Sequence, residues 1–301
     1  MDDDVAQWCL RVLGSAPARE LFRRQHLSEV IGVALTDGRE VVLKIRPASA
    51  RLAAITAVQR HLHARGFPCP AVVAGPEPLG SLVATAEACV PWRGQPPDPP
   101  PPAATARLLA ALVEAAPPAD AFAALDPAPP WVGWDHAGRG VWPVPDDLDV
   151  DLNAHTGPGW VDETAARVRA RLAETASRGV IGHIDWEAHN LDWDGGTPVL
   201  VHDWDSLAIR PEAAIAGAAA AVFPTNGTTT VAATVEQTAA FLDAYRRARS
   251  AAWTDADEQV AWAAGLWVLT FNAKKESLGG GAGYLAHLEP QLAQRLARSG
   301  L

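Results

Sequence analysis

Near the amino end, Val5, Trp8, Cys9 and Val12 recur at i, i+3, i+4 and i+7, the spacing of one helix face, with Asp3 and Asp4 where the helix dipole is positive. The period then becomes strand-like. Glu29 to Thr36 and Arg39 to Arg46 are two runs rich in β-branched residues, and Asp37-Gly38 between them is a hairpin signal. Ala48 to Arg65 returns to helical spacing and is stopped by Gly66, with Pro68 and Pro70 beyond it. Ala71 to Ala74 and Ser81 to Ala86 read as further strands. The first ninety residues therefore predict a small antiparallel sheet with one packed helix.

The pattern breaks at Pro91, and Pro96 to Pro102 holds six prolines in seven residues, a stiff connector with no regular element. We divide the chain there, into residues 1–90 and 91–301. Beyond it, Ala103 to Ala116 reads as a helix. The stretch from Asp126 to Trp160 is rich in Pro and Gly, contains Trp131, Trp134, Trp142 and Trp160, and is long enough to suggest a binding loop or lid. Asp162 to Ser177 is helical again, residues 179–205 hold short apolar runs around a Gly195-Gly196 turn, and the tail from about Thr230 is mostly helices. No fixed-period repeat is present, which removes solenoids and propellers.

Composition narrows the class. With 301 residues and 49% hydrophobic content the chain is globular rather than disordered. Its longest uncharged apolar stretch, Ala213 to Phe223, is eleven residues, against the roughly 20 that a membrane-spanning helix needs. The acidic opening Met1-Asp2-Asp3-Asp4 is unlike a secretory signal, and the expectation is a cytoplasmic protein with no membrane partner. Cys9, Cys69 and Cys89 are odd in number and widely separated, which suggests core filling rather than disulfides or a zinc site. The net charge of −10 comes from residues 91–205, which hold seven bases and eighteen acids. That balance excludes a phosphate-backbone binder and marks the middle third as the place for cations.

The sharpest constellation is His183-Ile184-Asp185-Trp186-Glu187-Ala188-His189-Asn190, followed by Thr197 to His202 and then Asp203-Trp204-Asp205. Phosphoryl transfer needs a carboxylate to orient an acceptor hydroxyl and take its proton, plus oxygen ligands that hold Mg²⁺ against the phosphates. An H-x-D-x-x-x-x-N run followed by an apolar strand ending in Asp supplies these groups. Here the sequence resembles the aminoglycoside phosphotransferase family, related to choline and homoserine kinases, whose pattern is H-G-D-x-x-x-x-N and then D-W-[DE]. Ile184 stands where the family has Gly. Asp192 and Asp194, beside the Gly-Gly turn, read as ordinary turn acids.

A second element is Val41-Val42-Leu43-Lys44-Ile45-Arg46. A lysine in so apolar a strand is costly to bury unless paired, and it is one of three in the chain. It matches the family's lysine for the ATP phosphates. An edge-strand lysine snorkelling outward is the bland alternative, and Arg46 on the same face is a second candidate. Kinases of this scaffold pair that lysine with a Glu on the next helix, yet Ile45 through Pro76 contains no Asp or Glu. The partner is missing or comes from elsewhere, and Gln59 is one substitute. Gln25 to Val30, where a phosphate-covering loop belongs, has no glycine cluster.

The resemblance implies an α+β, bilobed protein kinase-like fold, with a small antiparallel-sheet N-lobe and a larger, mainly helical C-lobe. By it, Asp185 is the catalytic base, Asn190 and Asp203 are Mg²⁺ ligands, His183 is a scaffold residue, Lys44 grips ATP or GTP, and Glu87 and Cys89 lie where a hinge offers backbone groups to adenine. The implied activity is transfer of the γ-phosphoryl to a hydroxyl of a small molecule, such as an aminoglycoside or another antibiotic. The acids Asp146 to Asp151 and the tryptophans suit a cationic substrate, or else form a solvated loop and a core. Two alternatives stay open: a kinase-like binding or regulatory module without transfer, and a metal-dependent phosphohydrolase using His183, Asp185, His189, His202 and Asp203.

Overall fold

A computed structural model describes residues 2–25, 28–175, 178–226, 231–250, 252–279, 281 and 283–301. The chain divides into two compact units, Met1–Trp92 and Arg93–Leu301.

In the first unit, α1 (Asp3–Trp8) continues as a wider turn over Cys9–Leu13 that ends at Gly14, with φ of 71°. Five strands follow: β1 (Pro17–Gln25), β2 (Glu29–Leu35), β3 (Glu40–Arg46), β4 (Val72–Leu79) and β5 (Leu82–Ala88). They form one antiparallel sheet in the order β1-β2-β3-β5-β4, and α2 (Ala50–Ala64) connects β3 to β4. Alternation along β3 sends Val41, Leu43 and Ile45 to one face, where they join Ile31, Val33, Leu35, Ala84 and Ala86 and are closed over by Val5, Trp8, Cys9 and Leu13. The opposite face of β3 and β5 carries Val42, Lys44, Arg46, Thr85 and Glu87. The sequence pattern did not reveal β1. Its residues Pro-Ala-Arg-Glu-Leu-Phe-Arg-Arg-Gln lie half-buried or exposed, because an edge strand is held by backbone pairing to its single neighbour rather than by packing.

The second unit is mainly helical: α3 (Pro102–Ala115), α4 (Gly159–Ala173), α5 (Glu212–Val222), α6 (Val235–Arg249), α7 (Asp255–Glu276), α8 (Tyr284–Leu288) and α9 (Leu292–Arg298). Two small ribbons interrupt the helices. One pairs β6 (Gly179–His183) with β9 (Leu207–Pro211), and the other pairs β7 (Leu191–Asp194) with β8 (Thr197–Val201). The helices α6 and α7 start on capping boxes, Thr234 with Gln237 and Thr254 with Asp257. No single helix among the described residues is long and apolar enough to cross a membrane. The apolar run of α5 is buried instead, against α7.

Between α3 and α4 the long Trp-rich connection is fastened down. Arg210 on β9 forms a two-pronged pair with Asp135 at 2.7 and 2.9 Å and donates twice to the Val132 carbonyl. Arg169 on α4 donates to the carbonyls of Trp134 and His136 at 2.7 and 2.8 Å. Trp142 donates to Asp162 at 2.6 Å, and the buried Lys274 ammonium meets the same carboxylate at 2.8 Å. Trp134 and Trp142 are core residues, so of the two readings of these tryptophans, pocket or core, the core one holds for these two.

The crossing of α5 and α7 leaves no room at Gly217. A Cβ there would fall inside the Ala261 carbonyl, and Gly265 meets the Gly217 carbonyl from the other side. Gly217→Ala is expected to lower stability by about 2–3 kcal/mol. Gly159→Ala at the start of α4, where a Cβ meets open space, should be neutral or slightly stabilising. Urea denaturation of both variants checks the contrast.

Candidate active site

The strand β6 delivers the octapeptide that begins at His183. A Cβ at Gly182 would collide with Ile215 of α5, so glycine there lets strand and helix close up. His183 is fully buried, its Nε2–H donates to the His202 carbonyl at 3.0 Å, and its ring meets Trp186 and Trp204 edge-on. This bond ties the loop after β6 to the residue that precedes Asp203. Ile184 is buried, and its N–H donates to the Ser206 carbonyl at 3.0 Å. A core contact thus accommodates the departure from glycine.

Asp185 and Asn190 are brought together. The Asn190 amide nitrogen donates to Asp185 Oδ2 at 2.9 Å and to the Asp185 carbonyl at 3.0 Å. Asn190 is itself held by its own N–H to the Glu187 carbonyl and by the His202 N–H on its carbonyl. Asp203 follows β8 in the left-handed region, with φ of 55°, a conformation that aspartate tolerates better than most residues. Ser206 donates to its carboxylate at 3.2 Å. Asp205 lies half-buried in the single turn Trp204–Ser206.

Burial and like charges together set the electrostatics of this site. Burial, and next the charge of Asp203, push the Asp185 carboxyl up to about 6, and Asp146 of the long loop adds to the repulsion. Burial, then Asp185 and Asp203, hold Glu187 well above the usual carboxylate range. Its Oε2 lies 3.3 Å from His189 Nδ1. Burial first, then Glu187 and Asp185, raise the Tyr284 phenol, which places α8 beside the same cluster. Tyr284 carries no sequence signal, and Glu187 was legible only as a member of the octapeptide.

In the first unit, Lys44 faces Glu87. The ammonium is 3.4 Å from Glu87 Oε1, and both side chains are about nine-tenths buried, at 12% and 9% exposure. This answers the search for a carboxylate partner: it comes from β5. Gln59 donates to the Pro70 carbonyl at 3.0 Å, and Arg46 donates to the Thr85 hydroxyl at 3.3 Å. The hinge reading of Glu87 and Cys89 concerns backbone groups, and one of these is occupied. Glu87 is an interior sheet position whose side chain meets Lys44, and the Cys89 N–H is taken up by the Glu40 carbonyl at 3.0 Å. Within Gln25 to Val30, His26 and Leu27 lie outside the described residues.

Two further expectations change. Asp192 is no turn acid: it is 1% exposed, and its carboxylate accepts the N–H groups of Arg93, Gly94 and Trp193 at 2.9 to 3.0 Å. The histidine-rich metal set of the phosphohydrolase alternative is not assembled. His183 is bonded to a carbonyl, and no group of three His, Cys, Asp or Glu side chains among the described residues is placed to hold a metal.

A model of the phosphotransferase enzyme family matches residues 23–260. No curated protein matches the chain. Among solved structures, the amicoumacin kinase hAmiN in complex with AMP-PNP, Ca²⁺ and Ami superposes with a TM-score of 0.64 at 12% identity, covering 100% of this chain and 94% of that one. The macrolide 2'-phosphotransferase MphH from Brachybacterium faecium gives 0.57 at 15% identity, with 99% and 97% covered. Spectinomycin phosphotransferase in complex with ADP and spectinomycin gives 0.54 at 10% identity, with 100% and 94% covered. At these identities the likeness is one of fold.

The Asp192 anchor is testable. Asp192→Ala strips one buried and two part-buried N–H groups of their acceptor and is expected to lower stability by about 2–3 kcal/mol. Asp194→Ala, exposed at the neighbouring hairpin, should stay within about 0.5 kcal/mol of the parent. Denaturant midpoints of the two variants decide it.

Proposed function

The chain belongs to the phosphotransferase enzyme family, and from that premise we propose that it moves the γ-phosphoryl of ATP or GTP to a hydroxyl of a small molecule, with Asp185 as the catalytic base. The observation that carries this reading is the Asp185, Asn190 and Asp203 constellation, held together by the His183 to His202 bond. The acceptor oxygen attacks the γ-phosphorus, the bond to the bridging β–γ oxygen breaks, and the hydroxyl proton passes to the Asp185 carboxylate. Asn190 orients that carboxylate through its amide nitrogen, and its side-chain oxygen is left for another ligand. Lys44 binds phosphate oxygens.

The donor set fits a hard divalent cation, for which we assign Asn190 and Asp203 as ligands. Both offer oxygen, and the repulsion between Asp185 and Asp203 is what a cation would relieve. Bound Mg²⁺ would neutralise charge on the phosphates. The amicoumacin kinase, in complex with AMP-PNP and Ca²⁺, supports nucleotide and divalent-metal use in this fold.

For the acceptor, Asp146, Glu187 and Tyr284 around Asp185 favour a polar, hydroxylated molecule bearing a cationic group, through Coulomb attraction and cation-π contact. The antibiotics named with the structural neighbours, amicoumacin and spectinomycin, support an antibiotic among the candidate acceptors.

Calorimetric titration with ATP and then GTP, with and without Mg²⁺, tests the reading; protein that binds neither nucleotide overturns it. A coupled ADP-release assay over hydroxylated antibiotics and metabolites then identifies the acceptor. Asp185→Asn should lower transfer by about 10²–10⁴-fold while leaving Mg²⁺-nucleotide affinity nearly intact. Asp203→Asn should remove the magnesium dependence of nucleotide binding, and an unchanged Mg²⁺ titration would refute its role as ligand.

A further inference from the structure

Glu87 has a place among the acids of the first unit that no other shares. Asp2, Glu20, Glu29 and Asp37 are answered by arginines at the surface, and Asp3, Asp4, Glu40 and Glu77 are exposed. Glu87, 7% exposed, is the one buried acid among the described residues of this unit. A buried carboxylate is retained only where a positive group or hydrogen bonds compensate for lost hydration. The strand register supplies that group. Val42 lies opposite Glu87 and Lys44 opposite Thr85, so Lys44 and Glu87 share one face as diagonal neighbours on adjacent antiparallel strands. Cys69, in the segment after α2, lies close enough to Glu87 that its thiol is pushed up to about 12, first by burial and then by that charge.

The helix that follows β3 has no carboxylate to contribute. Throughout α2, Ala50–Ala64, there is no Asp or Glu. In protein kinases the β3 lysine is held by a glutamate on the following helix, and placing that helix makes or breaks the pair. We propose that Glu87, a residue of β5 inside the sheet, is the positioning residue that holds the Lys44 ammonium in place for nucleotide phosphates. The lysine is then aimed by two strands hydrogen-bonded to each other, and its orientation does not depend on the placement of α2. This role rests on the phosphotransferase reading, because it presupposes that Lys44 meets phosphates.

The test separates the pair from its use. The chain has three lysines, so pulsed reductive methylation followed by peptide mass spectrometry reads Lys44 against Lys275 as internal reference. In Glu87→Gln, labelling of Lys44 relative to Lys275 should rise severalfold. In calorimetry with Mg²⁺, Glu87→Gln should weaken ATP about ten- to hundredfold, the worth of a charge-assisted hydrogen bond, while adenosine affinity stays unchanged. Glu87→Asp, which keeps the charge on a shorter arm, should recover part of the ATP affinity. Because Glu87→Gln takes a carboxylate away from a buried ammonium and can fail to fold, Lys44→Met and the double variant Lys44→Met/Glu87→Gln complete the set. The double variant should bind ATP no more weakly than Lys44→Met alone. Unchanged Lys44 labelling, equal losses for ATP and adenosine, or losses that multiply in the double variant would each overturn the role. Wild-type protein that binds no nucleotide overturns the phosphotransferase reading and this role with it at the first titration, while the labelling still reports whether the pair exists.

Discussion

Asp185 and Asp203 are like charges kept close together in a largely buried place, and much of the second unit is arranged to keep them there. Two carboxylates left to themselves would move apart or one would take a proton, which is the direction in which Asp185 is pushed. The geometry persists because each is delivered by a different small ribbon and the ribbons are bonded to each other. His183 at the end of β6 donates to the carbonyl of His202 after β8, while the His202 N–H donates to the Asn190 carbonyl. Packing of Trp186 and Trp204 around the imidazole makes the junction stiff. A left-handed backbone at Asp203 is tolerated because its neighbours determine it on both sides.

The first unit solves the opposite problem, a buried cation. Lys44 sits on the polar face of a sheet whose other face is fully apolar, and Glu87 answers it from the adjacent strand. An ion pair of this kind adds little net stability over an apolar pair, since both partners give up hydration. Its effect is on where the ammonium points. A partner on a neighbouring strand restricts that direction more tightly than one on a separate helix, since sheet hydrogen bonds fix the distance between the two backbones.

The long connection from Asp126 to Trp160 shows how a segment without regular structure is made part of a core. Carbonyls of this segment, which have no ladder to join, are taken up by Arg210 and Arg169, and the Trp142 indole is buried beside Trp267 and Phe271. Lys275 pairs with Asp147 at the far end. A segment fastened in this way can hold Asp146 near Asp185 without a helix or strand to carry it.

Local chemistry was legible in the amino-acid order: the alternation of β2 and β3, the α2 stop at Gly66, and the octapeptide from His183 with an acid at the end of the next strand. These depend on neighbours a few residues apart, and a linear pattern records such spacings directly. The edge strand β1, the anchor at Asp192 and the presence of Tyr284 beside Glu187 were not legible. Each is decided by residues far away in the chain. The same holds for Glu87. The sequence by itself determined that Lys44 lies in an apolar strand and that α2 has no acid to offer it. Only the tertiary structure decided that β5 lies beside β3 in a register that places Glu87 diagonally from Lys44, because strand order and register are set by packing of the whole sheet.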